Sequence, residues 1–402
     1  MRERLFRRNY FKSREYYPAS RVRLVHSGKD YFDTLEDVIA SAKHTIHLQT
    51  YIFEEDAIGK RIANALKAAS LRGVSIALLL DGFGSKALSH KFVQELRNTG
   101  IDIRFFAPFF STQSIYLGRR MHHKIVVVDK SFALIGGINI ADKYHGSETE
   151  EPWLDYAILL QGSVCGELEL LCHNMYGIRN RLKRIRAQRF LKKQIAPIQD
   201  DDERILVKIK QNDRLKGKNQ ISRSYIRAIR NAHTSIYITG SYFLPGTKLR
   251  KALVAASKRG VEVNLILAGV SDVPMFQAAT TWLYDFLFRH GIKIYEWKKS
   301  VLHGKIAVID DNWSTVGSFN LNHLSAYGSI ELNIDVPDEV FVRDFKEHLQ
   351  SIIESDCEQA FPEKQNRKWT ARLGRWFAYQ FTRTFIKIMV VFPYVNPFKK
   401  FE

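Results

Sequence analysis

Along the first third of the chain the apolar positions alternate between two periods. Residues 31–42, 59–72 and 91–99 repeat them every three to four positions, which predicts amphipathic helices. Residues 45–53, 74–81 and 101–106 are short apolar runs closed off by polar residues or glycine, which predicts buried strands. The same order returns later, with strands predicted over 234–243, 261–268 and 292–297 and helices over 248–259 and 274–290. Whole words recur with it: ALKAASLRGVSIALLL at 65–80 stands beside ALVAASKRGVEVNLIL at 252–267. A strand–helix alternation repeated in two halves predicts two similar α/β sandwiches. If a pseudo-twofold axis relates them, equivalent segments converge on one interface.

The closest internal match is MHHKIVVVDKSFALIGGIN at 121–139 against LHGKIAVIDDNWSTVGSFN at 302–320. Both fit the pattern H-x-K-x4-D-x6-G-[G/S]-x-N. The first copy fills it with His122, Lys124, Asp129, Gly136, Gly137 and Asn139, the second with His303, Lys305, Asp310, Gly317, Ser318 and Asn320. At roughly one chance in twenty per fixed position, two such matches in one chain are not coincidence. Residues 125–128 read as a buried strand, so side chains two apart share a face: His122 with Lys124, and His303 with Lys305. His123 then faces away and reads as structural. Asp129 and Asp310 fall at the strand ends and read as acceptors holding the turn. The small residues that follow let backbone and asparagine approach a bound group.

A histidine, a lysine and an asparagine converging twice make a cradle for a phosphodiester. Negative charge grows as phosphorus becomes five-coordinate, and two ammonium groups with two amide donors stabilise that state more than the ground state. The histidines divide the remaining work, one neutral and attacking, one protonated and donating to the leaving oxygen.

The duplicated motif resembles the HKD signature of the phospholipase D superfamily, and in particular the bacterial cardiolipin synthases of the short type that lack amino-terminal membrane spans. The resemblance runs from about Val22 to about Asp356. It implies two pseudo-twofold-related phospholipase D-like α/β sandwich domains with the active site at their interface, formed within one chain. It implies ping-pong phosphatidyl transfer between two phosphatidylglycerol molecules, through a phosphatidyl-histidine and with release of glycerol. In that scheme His122 attacks and His303 protonates the departing glycerol. Lys124 and Lys305 complete the catalytic set with the motif aspartates Asp129 and Asp310, and Asn139 and Asn320 bind phosphate. An acid after each motif orients a histidine, and the matching words here are WLD, giving Asp155, and IELN, giving Glu331. One phosphodiester replaces another, so neither a metal nor another cofactor is expected. The alternatives are a phospholipase D-type hydrolase or an HKD-family nuclease, with a non-enzymatic membrane-binding protein behind both.

Composition narrows the partners. The formal net charge of +19 calls for a polyanion, either an anionic phospholipid membrane or nucleic acid. No single-strand stacking module is evident, so nucleic acid is not expected. Three cysteines, Cys165, Cys172 and Cys357, have no metal-ligand spacing and favour a reducing compartment. Together these place the protein peripherally on the cytoplasmic face of the cell membrane. The expected domains are a basic arm over 1–25, phospholipase D-like domains over 26–177 and 200–358, a basic linker over 178–199, and a tail over 359–402.

The arm has no apolar core and is neither signal peptide nor span; Arg2, Arg4, Arg7 and Arg8 are suited to lipid phosphates. In the tail, Arg372, Arg375, Arg383 and Lys387 form one helical stripe. Trp369, Leu373, Trp376, Phe377, Phe381, Phe385, Ile388, Met389 and Phe392 form the other. That pattern predicts a helix in the membrane interface, with packing on the protein as the alternative. GFGSK at 82–86 lacks the phosphate-loop spacing. The phenylalanines 105, 106, 109 and 110 read as core in preference to an acyl channel.

Overall fold

The computed structural model describes residues 16–107, 110–111, 114–115, 119–177, 205–362 and 368–391. Two sheets dominate it, and they repeat one another strand for strand. In the first the order is Arg21–His26, Tyr156–Gln161, Phe132–Gly136, Lys124–Val128, Thr45–Thr50, Ser75–Asp81 and Asp102–Phe106. In the second the equivalent run is Ile205–Asp213, Ser329–Val336, Trp313–Gly317, Ile306–Ile309, Ser235–Gly240, Glu262–Ala268 and Lys293–Trp297. In both, the last three strands are parallel and joined by helical crossovers, while the motif strands pair antiparallel.

Every residue of Lys124–Val128 and of Ile306–Ile309 is buried. The cause is a layer on each side. Val126 and Val128 face the helices of their own half, while Ile125 and Val127 pack with Ile306, Val308, Val316 and Ile334 of the other sheet. A strand covered on both faces reads as a continuous apolar run, which is how both motif strands read in the sequence.

The predicted helices and strands are present, with no end shifted by more than three residues. Asp56 and Ser89 cap two of the helices, accepting from the amides of Gly59 and Phe92. One predicted element divides: residues 274–290 form Pro274–Trp282 and then Tyr284–Phe288. Thr281 Oγ1 turns back to the Gln277 carbonyl and the Leu283 amide reaches Thr280, which tightens and breaks the ladder there. The helices Val164–Tyr176, Gln220–Arg230 and Glu339–Asp356 went unread in the sequence.

The divisions between segments are less sharp than the expected boundaries. Tyr17–Ala19, in the expected arm, pairs with Ile205–Val207 of the second sheet. The strand Cys357–Ala360 closes the far edge of that sheet on Lys293–Trp297. Arg2, Arg4, Arg7, Arg8, the linker 178–199, Phe109, Phe392 and the side chains of Phe110, Lys387 and Met389 lie outside the described residues. Phe106 is buried and Phe105 packs against the core of the first half.

The terminal helix, Trp369–Val391, does two things that were expected as alternatives. Ala378, Tyr379 and Ile386 pack on the second half, with Thr382 buried beside them. Trp369, Leu373, Trp376, Phe377, Phe381, Phe385 and Ile388 remain exposed. The helix is docked by a narrow stripe and presents an aromatic face to the outside. Arg375, expected on an open basic stripe, is half-buried, whereas Arg372 and Arg383 are exposed. No helix among the described residues is long and apolar enough to cross a membrane.

Candidate active site

Each motif is held by the other half of the molecule. Arg120–Met121 pairs in parallel with Ser329–Ile330, and the His122 amide donates to the Ile330 carbonyl at 3.0 Å. Reciprocally, the His303 amide donates to the Leu154 carbonyl at 2.8 Å, and Leu154 bridges to Leu302. The backbone alone therefore brings the segment before each motif strand against the strand that carries the opposite acid.

The side chains continue the exchange. His122 Nδ1 lies 3.0 Å from Glu331 Oε2, and His303 Nδ1 lies 2.5 Å from Asp155 Oδ2. Both carboxylates are fully buried, and the ring nitrogen left to react in each case is Nε2. A carboxylate on Nδ1 fixes tautomer and orientation and stabilises the imidazolium. The acid that follows each motif in sequence thus serves the histidine of the other motif.

The supports behind the two acids differ. A Cβ on Gly137 would fall 2.3 Å from an Asp155 oxygen, so the first motif needs glycine there. At the matching position Ser318 donates its hydroxyl to Glu331 Oε2. The G-[G/S] ambiguity in the motif was the sequence signal for this difference.

The lysines lie under the same cleft. Lys124 Nζ donates to the His122 carbonyl at 2.6 Å, and Lys305 Nζ sits 2.9 Å from His303 Nδ1 and 3.6 Å from Asp155. Burial, and then the charge of Lys305, push the Lys124 ammonium down to about 7. Burial likewise lowers Lys305, against Asp155 and Glu331. Burial also lowers His122 against the pull of Glu331, and with Lys305 it lowers His303 to about 3. Burial alone would raise Asp155, but Lys305 and His303 hold it below the usual carboxylate range. Charges from each motif act on the other, so the two sets share one electrostatic environment.

Asp129 and Asp310 bond to backbone at the ends of the motif strands. Asp129 accepts from the backbone amides of Lys43, His44 and Thr45, and Asp310 from those of His233, Thr234 and Ser235. Each sits in the left-handed region, φ 50° and 51°, which aspartate tolerates better than most residues. Burial would raise both carboxyls, and the amide donors outweigh it and lower them. They fasten the end of each motif strand to the start of its neighbour.

Asn139 is held within its own half. Its Oδ1 accepts from the Ile52 amide at 3.1 Å and its Nδ2 donates to the Tyr144 hydroxyl at 2.7 Å, which sits 3.5 Å from His303 Nδ1. It positions Tyr144 beside the histidine. Asn320 accepts from the Ser241 hydroxyl at 3.4 Å. His123 turns away to Gln49 at 2.9 Å.

Sequence reading missed the aromatic walls. Tyr51 lies 5.1 Å from the His122 ring, and Tyr144, Trp153 and Tyr242 lie 5.3, 5.8 and 6.3 Å from the His303 ring. Trp153 is the first residue of the WLD word that flagged Asp155, and no pattern marked the others. Among the described residues, His47, Glu169 and His173 lie close enough together to hold a metal ion, on other elements of the first half. Lys130 already stands 3.8 Å from Glu169, and no step at the two histidines involves this group.

Comparison with known proteins agrees with this geometry. The family model described as "Cardiolipin synthase, PLD-like domain" matches residues 35–156 and again 225–353, one match per half. The chain belongs to this family. Cardiolipin synthase B of Shigella flexneri and that of Escherichia coli K12 are each 32% identical over 385 residues, covering 94% of this chain and 92% of theirs. Cardiolipin synthase 1 of Staphylococcus epidermidis is 30% identical over 345 residues, 85% of this chain and 68% of its own. Among solved structures, the phosphatidylserine synthase of Haemophilus influenzae superposes with a TM-score of 0.71 at 14% identity, covering 96% of this chain and all of that one. At that identity the likeness concerns the phospholipase D-like fold alone.

Proposed function

We propose that this protein is a cardiolipin synthase that moves a phosphatidyl group from one phosphatidylglycerol to another. The observation that carries the reading is the crossed arrangement, a half-buried His122 and a buried His303, each held by a carboxylate from the opposite half and accompanied by a pair of buried lysines. Membership of the cardiolipin synthase family supports the choice of lipid.

In the first step the His122 Nε2 lone pair forms the bond to phosphorus. The bond from phosphorus to the glycerol oxygen breaks, and that oxygen takes a proton from His303. In the second, the now-neutral His303 takes the proton of a hydroxyl on a second phosphatidylglycerol. That oxygen bonds to phosphorus, the N–P bond breaks, and cardiolipin leaves. Burial favours the neutral form of both rings, as a nucleophile requires. An arriving phosphodiester adds negative charge beside them and favours the imidazolium that the leaving group needs. Lys124 and Lys305 neutralise the developing charge in a site screened from water.

The substrate is embedded in a bilayer, and the enzyme works peripherally from its cytoplasmic face. The exposed aromatic face of Trp369–Val391 and the net charge of +19 support attachment to an anionic surface. The test is mass spectrometry of lipids after incubating purified protein with phosphatidylglycerol vesicles. Cardiolipin with stoichiometric glycerol is expected; phosphatidic acid alone would make the protein a hydrolase.

A further inference from the structure

The loop after Ser235–Gly240 serves two places at once. Tyr242 faces His303 across 6.3 Å, yet a few residues on, the same loop forms one wall of a separate pocket. The opposite wall is the terminal helix, through Tyr379, Arg383 and Ile386, and the rest includes Arg250 and His323. Among the described residues, no carboxylate lines it. Arg250 Nε is buried without a hydrogen-bond partner, and its guanidinium lies 5.8 Å from the Phe286 ring. A buried donor left unmatched between basic side chains, with no carboxylate among the described lining residues, is a site short of an anion.

The surroundings indicate which anion. Arg383 stands on the terminal helix between its docked stripe and its outer face, where Phe377 and Phe381 are each 58% exposed. Phe381 and Phe385 stack nearly parallel on that face, and both are exposed. Aromatic rings at this density settle at the boundary between headgroups and acyl chains, where phosphates are also found.

We propose that this pocket binds the phosphate of an anionic bilayer phospholipid, gripped by Arg250 and Arg383, while the aromatic face beside it enters the bilayer. The bound lipid is not the one being transformed, since neither catalytic histidine lines the pocket. It fixes the depth and tilt of the molecule so that the cleft, one loop away, opens at headgroup level. This deepens the reading of a membrane-surface enzyme and rests on it for the choice of lipid.

The decisive variant is Arg250→Lys with Arg383→Lys, which keeps every charge but removes the planar fork that pairs with phosphate. Binding is measured by co-sedimentation with vesicles of phosphatidylcholine alone and with phosphatidylglycerol added. The double variant is expected to lose about tenfold in affinity for the anionic vesicles, with little change on phosphatidylcholine. Full retention of affinity overturns the proposal, because diffuse charge would then suffice. An equal loss on both vesicles also overturns it. So does inorganic phosphate that raises the wild-type Tm through these arginines yet fails to compete with vesicles, which would make the pocket a free-phosphate site. Binding needs no turnover, so a protein that made no cardiolipin but still distinguished the vesicles would disprove only the synthase reading.

Discussion

At the residue scale the account turns on which group holds each imidazole. Glu331 accepts from His122 and favours its imidazolium, so Glu331→Gln leaves the ring loosely oriented and lowers its pKa further. Turnover should fall by about 10⁴-fold, by analogy with loss of the orienting acid in a hydrolase triad. The acid limb of the kcat/KM profile should move to lower pH, because a neutral His122 then persists further down. A purely structural defect would lower activity without moving that limb. Lys124 supplies a second pH effect. Its ammonium is pushed down to about 7, so the free enzyme should lose kcat/KM as pH rises through that value. Lys305→Gln removes a neighbouring positive charge and should carry the alkaline limb upward, even as the rate drops. The pairs themselves were half legible: WLD and IELN marked Asp155 and Glu331, but one strand of sequence says nothing about which histidine each acid meets. The bond from Asn139 to Tyr144 was not legible for a related reason, since Tyr144 lies on a short helix, Asp142–His145, that no period betrays.

At the scale of elements, the motif aspartates act as fasteners. Asp129 to Ala strips three backbone amides of a charged acceptor and should destabilise the protein by about 2 kcal/mol. Its folded pKa is depressed, so the contribution is complete above the unfolded value and is lost as pH falls through the folded one. The Tm difference between wild type and variant should therefore shrink in acid. Activity per folded molecule should suffer far less than in either histidine variant. The strand ends that these residues hold were readable, because a β-branched run ending in Asp and a turn has few other meanings. Much less readable were edge strands such as Tyr17–Ala19 and Cys357–Ala360, three and four residues long. Their place is decided by the sheet edge that receives them.

At the scale of the whole molecule, duplication supplies what neither half contains. The sequence repeat announced two sandwiches with a shared interface, since the same words recur in the same order. It could not announce that each half completes the other's histidine, which depends on how the sheets face each other across Ile125, Val127, Ile306 and Val308. The terminal helix was legible as amphipathic. Which arc would be covered depended on Ala378, Thr382 and Ile386 finding the second half, and that left the aromatic arc outside. The central claim is that both imidazoles act in turn on one phosphorus atom. It is tested most directly by quenching the enzyme and phosphatidylglycerol radiolabelled at phosphorus in mildly alkaline detergent, where a bond from phosphorus to imidazole survives, and locating the label by peptide mass spectrometry. Label on His122, abolished in His122→Ala and slow to form in His303→Ala, is the predicted result. Turnover without any covalent label, or label on a residue outside the two motifs, would contradict it.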